Sequence, residues 1–228
     1  MSMTEYVPYR IPRATVWWSA AFVVLGLLVQ ATDFDRLNSF AINHLEPIAP
    51  GHGYQLLSGL AEAVVSPGAP LMSAVIIAGA AGLLWARGRR REAVAWALTY
   101  PAAIVVEIVC KLLIQQHRSG VWQGFGLTFD SSFPSGHMLR AILIAGILSA
   151  LWPGLRVWLA VWCGAVGVSM LLTGFHLPTD IAGGIMAGMA LATAAEAAGV
   201  RRSTWPPSPS SSPPAAEARD LQGTVGSR

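Results

Sequence analysis

An all-α membrane protein is what this sequence predicts: a bundle of six transmembrane helices, an interfacial helix in the first outer loop, and a disordered C-terminal tail. Three observations lead there. Of 228 residues, 54% are hydrophobic and only 12% charged, against about 25% charged in an average soluble domain. The mean hydropathy is +0.51. The apolar residues are also gathered into runs of about the length that crosses a ~30 Å hydrocarbon core at about 1.5 Å per residue.

The runs fall at 14–31, 68–86, 93–115, 137–152, 157–175 and 179–198. The first follows Arg10 and Arg13 and ends in Val29-Gln30-Ala31, a pattern shared with cleaved signal peptides. It is long for one, so an uncleaved span is expected. Between the first two runs, Leu56, Leu57, Leu60 and Val64 recur at helical spacing. They predict an amphipathic helix lying in the membrane interface; the competing reading is a helix packed on the bundle. The fourth run is the shortest. From Ser203 onward, Pro206, Pro207, Pro209, Pro213 and Pro214 sit among serines. Such a segment cannot bury enough apolar surface to offset its ordering entropy. The chain thus divides into a membrane-embedded unit, 1–202, and a disordered tail, 203–228.

Basic residues set the orientation. With a cytoplasmic N-terminus, the inner side holds Arg10, Arg13, Arg87, Arg89, Arg90, Arg91, Arg156, Arg201 and Arg202, and the outer side Arg36, Lys111, Arg118 and Arg140. That bias is the positive-inside pattern. It predicts a multi-pass protein of the plasma (inner) membrane with both termini cytoplasmic. Trp17, Trp18, Trp85, Trp96, Trp152 and Trp158 fall near the inner ends of the runs, as an aromatic belt would. The net charge of +3 is small and spread by topology, which argues against a nucleic-acid partner. Cys110 and Cys163 lie inside apolar runs and read as free, packed thiols. No Cys/His cluster has metal-ligand spacing, so neither metal nor cofactor is expected.

The chemistry gathers at the outer ends of the runs. Lys111, the single lysine of the chain, and Arg118 close the third run. Pro134-Ser135-Gly136-His137 opens the fourth, and His176 and Asp180 bridge the fifth and sixth. A cation kept in an apolar segment is costly and points to function. Free N–H groups at a helix start, with a glycine allowing close approach, suit an anion. Ser135 adds a hydroxyl, Lys111 a point charge and Arg118 a planar fork. Lys111 is also one helical turn from Glu107, and an ion pair between them is compatible with phosphate binding. Asp180, in the first turn after Pro178, reaches back to one imidazole nitrogen of His176 and leaves the other free to attack phosphorus. His137 is placed to protonate the departing oxygen.

These residues resemble the type-2 phosphatidic acid phosphatase superfamily, whose pattern is Lys-x6-Arg-Pro, Pro-Ser-Gly-His and Ser-Arg-x5-His-x3-Asp. The match runs from Lys111 to Asp180. The resemblance implies a metal-independent lipid phosphate phosphatase with a phosphohistidine on His176, oriented by Asp180, with His137 as general acid. It implies that Lys111, Arg118, Ser135 and Gly136 hold the phosphate. The chain departs from the pattern twice: Ser119 replaces the proline after Arg118, and Met170 replaces the arginine after Ser169. Arg140, one turn after His137, is a candidate to supply the missing charge; its competing role is snorkelling to the interface.

The expected reaction is hydrolysis of a phosphomonoester or pyrophosphate on an amphiphile, such as a polyprenyl pyrophosphate, phosphatidic acid or phosphatidylglycerol phosphate, on the outer (periplasmic) face. Substrate and membrane lipids are the expected partners, and the oligomeric state is not encoded. Two other readings stay open: a phosphotransferase passing the phosphoryl group to an acceptor alcohol, and a non-catalytic lipid-phosphate binder, which Met170 suggests. The superfamily's vanadium haloperoxidases share the phosphate cradle but are soluble, and six apolar runs argue against that branch.

Overall fold

The computed structural model describes residues 11–31, 52–114, 117–124, 127–173 and 176–199. The tail 203–228 lies outside them, as does most of the first outer loop. Seven α-helices are described: α1 (Arg13–Ala31), α2 (His52–Val65), α3 (Pro70–Ala86), α4 (Arg90–Leu113), α5 (Gly136–Leu151), α6 (Arg156–Leu172) and α7 (Pro178–Gly199). Every apolar run of the sequence becomes one of them. The link from α4 to α5 adds a two-stranded antiparallel hairpin, β1 (His117–Gly124) and β2 (Leu127–Ser131), that periodicity did not predict.

The helices do not all have the length that six full crossings require. Among the described residues α1, α4, α6 with its preceding turn, and α7 are long and apolar enough to cross a membrane; α2 and α3 would make a fifth span, bent by 49°. Helix α5 has 16 residues, about 24 Å of rise, short of a ~30 Å core. The chain is therefore a multi-pass membrane protein with four or five full-length spans among its described residues.

The bend before α3 has a local cause. Ser66–Gly68 form a single 3₁₀ turn, and Ala69 is extended, with ψ at 149°. A residue preceding proline is pushed out of the helical region, and Pro70 then serves as the first residue of α3. Helix α2 packs on the bundle: Trp162 Nε1 of α6 donates to the Val64 carbonyl over 3.1 Å. Of the two readings of this segment, bundle packing is the one its contacts describe. The side chains of Leu56 and Leu57 lie outside the described residues.

Helix α5 is the axis of the bundle, packed by α3, α4, α6 and α7. Ile77, Leu84, Trp96, Leu139, Leu143 and Ile147 form its main apolar core. Trp96 corrects the aromatic-belt reading: it is 1% exposed, and its ring occupies the space where Gly146 has no side chain. Trp17, Trp85, Trp152 and Trp158 are exposed, as a belt requires. Helix α7 meets α5 at backbone distance, because a Cβ at Gly184 would lie 2.6 Å from the Ser135 carbonyl oxygen and one at Gly188 2.7 Å from Ile142 Cβ. Small residues permit such an approach in membrane bundles. Helices α6 and α7, although consecutive, scarcely touch each other; both lean on α5 and leave a wedge between them.

The end of the bundle remote from the motifs is fastened by arginine. Gly88, at φ 78°, turns the chain from α3 into α4, in the left-handed region that glycine enters without cost. Arg87 Nη1 and Arg89 Nη1 then donate to the carbonyls of Leu151 and Ala150, over 3.4 and 2.8 Å. These carbonyls belong to the last turn of α5 and have no partner within the helix. Arg87 also stacks over the Trp152 ring and Arg90 over Trp85, a cation–π arrangement.

Candidate active site

Three chain segments meet at the opposite end: the last turns of α4, the start of α5, and the loop from α6 into α7. Ser135 is the N-cap of α5. Its Oγ accepts from the Met138 N–H over 3.3 Å, satisfying one of the free donors of the first turn. Its own N–H donates to the Asp180 carbonyl over 2.9 Å, which fastens the Pro-Ser-Gly-His segment to the first turn of α7. Phe133, fully buried, stacks on Phe22 of α1 with ring centroids 5.9 Å apart. It also fills the space beside Gly183.

His176 and Asp180 are both buried. The His176 Nδ1 and Asp180 Oδ2 atoms stand 3.2 Å apart, and the same oxygen accepts the Leu177 N–H over 2.9 Å. The ring contact is the one that the His-x3-Asp spacing predicts; the same carboxylate also caps its own helix. Asp180 Oδ1 and Ser132 Oγ are buried without a hydrogen-bond partner among the described residues. Such orphaned atoms are uncommon in folded proteins and ask for a partner from outside. His137, half-buried in the first turn of α5, lies within electrostatic reach of Arg140, His176, Glu107 and Lys111.

Lys111 and Arg140 are joined through Glu107. Lys111 Nζ donates to Glu107 Oε1 over 2.8 Å, and Arg140 Nη1 to Glu107 Oε2 over 2.5 Å. The first pair is the i,i+4 contact read from the sequence; the second is not visible in local spacing. Arg140 Nε donates in addition to the Gly68 carbonyl over 2.7 Å. All three side chains are at most 7% exposed. The Glu107 carboxylate lies against Gly136, in the space that any larger residue would claim for its Cβ.

Met170 occupies a different flank. It is 1% exposed and packs with Met138, Ala141, Val166 and Ile181. Its sulfur receives the Ser135 hydroxyl at 3.6 Å, a weak acceptor contact. Arg140, on α5, points away from this flank, its guanidinium held by Glu107 of α4 and the Gly68 carbonyl. Arg118 lies on β1, next to His117, which pairs across the hairpin with Ser131; its side chain lies outside the described residues.

From the motif end a groove of about 680 Å³ runs down the wedge between α6 and α7. Met138, Ile142, Gly164, Leu171, Ile185 and Met189 are among its lining residues, and Arg156 and Glu196 stand at its far end. Among the described residues no three His, Cys, Asp or Glu side chains are grouped as a metal site would need.

A solved structure, the transmembrane PAP2 type phosphatidylglycerolphosphate phosphatase from Bacillus subtilis, superposes with a TM-score of 0.60 at 20% sequence identity. The match covers 81% of this chain and 95% of that one, so the two share a fold. No curated protein matches the sequence. The PAP2 superfamily model matches residues 108–202, a segment that takes in every motif from Lys111 to Asp180. That segment, which carries Lys111, Ser135, Gly136, His137, Arg140, His176 and Asp180, is thus similar in sequence to the PAP2 superfamily.

Proposed function

We propose that the protein is a membrane lipid-phosphate hydrolase that works through a phosphohistidine on His176, without a metal, at the outer face of the plasma membrane. The observation that carries this reading is the buried His176–Asp180 pair, fastened by the Ser135–Asp180 hydrogen bond to a helix start that lies against the Glu107–Lys111 pair of α4. In the first step the other ring nitrogen of His176 attacks phosphorus, the bond from phosphorus to the lipid oxygen breaks, and His137 gives its proton to that oxygen. In the second step water attacks the phosphohistidine, its proton passes to His137, and inorganic phosphate leaves. Asp180 stabilises the positive charge that the ring carries between the two steps. Lys111, Arg118, Ser135 and Gly136 hold the phosphate oxygens, and Arg140 adds charge from behind Glu107.

The groove between α6 and α7 supports an amphiphilic substrate. A lipid chain lying there would keep its tail in an apolar setting while its phosphate meets His176. The positive-inside distribution of arginine, with the remote turn of Arg87 to Arg91 on the cytoplasmic side, supports the outward-facing site.

Phosphate release by the purified chain in detergent with chelator, measured over a panel of lipid mono- and diphosphates, tests the proposal. Turnover that survives chelation, disappears in His176→Ala and leaves an acid-labile phosphorylated protein is the expected outcome. Phosphate transferred to an acceptor alcohol instead of water would establish the transferase. Lipid-phosphate binding with no turnover on any substrate would overturn the enzyme reading.

A further inference from the structure

We propose that Glu107 is a resident anion of the phosphate site and a specificity-determining residue, one that favours a lipid phosphomonoester over a lipid diphosphate. The proposal rests on the phosphatase reading above and adds the substrate class. Three observations converge on it. The carboxylate sits against Gly136, at the positive end of α5, where the motif leaves room for an anion. Its two oxygens are each taken by a cation, Lys111 and Arg140. The superfamily arginine that would add positive charge is Met170, apolar and buried. Glu107 therefore cancels one of the two charges that Lys111 and Arg140 bring to this flank.

The substrate's phosphate meets Lys111 in the presence of this carboxylate, and every further negative charge it carries is repelled. A diphosphate carries at least one more than a monoester. In a site of low effective dielectric, one such repulsion at several ångströms changes an equilibrium by about tenfold or more. The same carboxylate holds Lys111 and Arg140 in place when no substrate is bound, so its two effects are separable by charge: a neutral isostere removes the repulsion and keeps the shape.

The test compares farnesyl monophosphate and farnesyl diphosphate, which share a tail, on wild type, Glu107→Gln and Glu107→Asp. The kcat/KM ratio of diphosphate to monophosphate should rise about tenfold or more in Glu107→Gln, chiefly through KM, and stay at the wild-type value in Glu107→Asp. An unchanged ratio in a folded Glu107→Gln protein would make Glu107 a structural tie and overturn the proposal. Calorimetric binding of inorganic phosphate and pyrophosphate to the wild-type chain gives a second measurement that needs neither variant nor turnover. Pyrophosphate binding no more tightly than phosphate sustains the proposal, and pyrophosphate binding more than about tenfold tighter sinks it. Absence of His176-dependent turnover together with that binding order would remove the hydrolase reading and leave the role of Glu107 standing.

Discussion

The backbone N–H of Ser135 donates to the backbone carbonyl of Asp180 over 2.9 Å, so the residue that caps α5 and the residue that orients His176 are parts of one hydrogen-bonded unit. The start of α5 and the His176–Asp180 pair cannot drift apart without breaking it. Gly184 allows the approach, because its missing side chain leaves the space that the Ser135 carbonyl occupies.

Gly184→Ala should part α5 from α7. A Cβ 2.6 Å from the Ser135 carbonyl and 2.9 Å from Met138 Cβ must push backbone, and overpacking of this kind costs about 1–3 kcal/mol. A lowered Tm and a loss of kcat larger than the loss of folded protein are expected. Gly79→Ala is the control: an added Cβ there meets nothing within 4 Å, and both Tm and kcat should hold. Steady-state kinetics beside thermal unfolding in detergent checks the pair.

Asp180→Asn should keep the helix cap and lose the anion beside His176. General acid–base and orientation effects of this sort are worth on the order of 10²–10⁴ in rate, so kcat should fall within that range with KM little changed. His137→Asn should fall comparably on an alkyl phosphate and much less on p-nitrophenyl phosphate, whose leaving group needs no proton. Equal losses on both substrates would take His137 out of the general-acid role.

Gly164→Leu should discriminate by chain length. Gly164 lines the groove and an added Cβ meets nothing within 4 Å, so the larger side chain extends into the groove without strain. Replacing a mid-helix glycine also gains about 1 kcal/mol of helix propensity. Activity toward long-chain lipid phosphates should drop several-fold or more through KM, while a short soluble phosphate ester is turned over as before. Uniform loss on both would show that the tail binds elsewhere.

Trp96→Ala should act on stability alone. The ring is buried against Gly146, and truncating a buried tryptophan costs about 3–5 kcal/mol. Tm should fall strongly, and kcat per folded molecule should persist at low temperature because the ring packs in the apolar core.

Much of the site was legible because polar residues in apolar runs carry their own address. Lys111 with Glu107 and His176 with Asp180 are i,i+4 pairs, and helical geometry alone brings them together. The tie from Glu107 to Arg140 spans two helices and 33 positions, so no local spacing encodes it; nor does any encode the Gly68 carbonyl that holds Arg140 from a third segment. The hairpin escaped because Gly120, Gly124 and Gly126 interrupt any strand alternation. Trp96 was misread because its partner, Gly146, lies fifty positions away, and composition cannot tell a ring at an interface from one inside a core. The break at Ser66-Pro67-Gly68 separates α2 from a span that hydropathy alone would begin at residue 68.

On the proposed function, the brevity of α5 bears on the depth at which a phosphate is met. Were the end held by Arg87 and Arg89 to lie at one boundary of a ~30 Å core, a helix of about 24 Å would stop roughly one turn before the other. His137 and Gly136 would then sit below the headgroup plane. A phosphate reaching them would be drawn down out of bulk water, and its ester oxygen, near the acyl region, would need no lifting of the lipid from its leaflet.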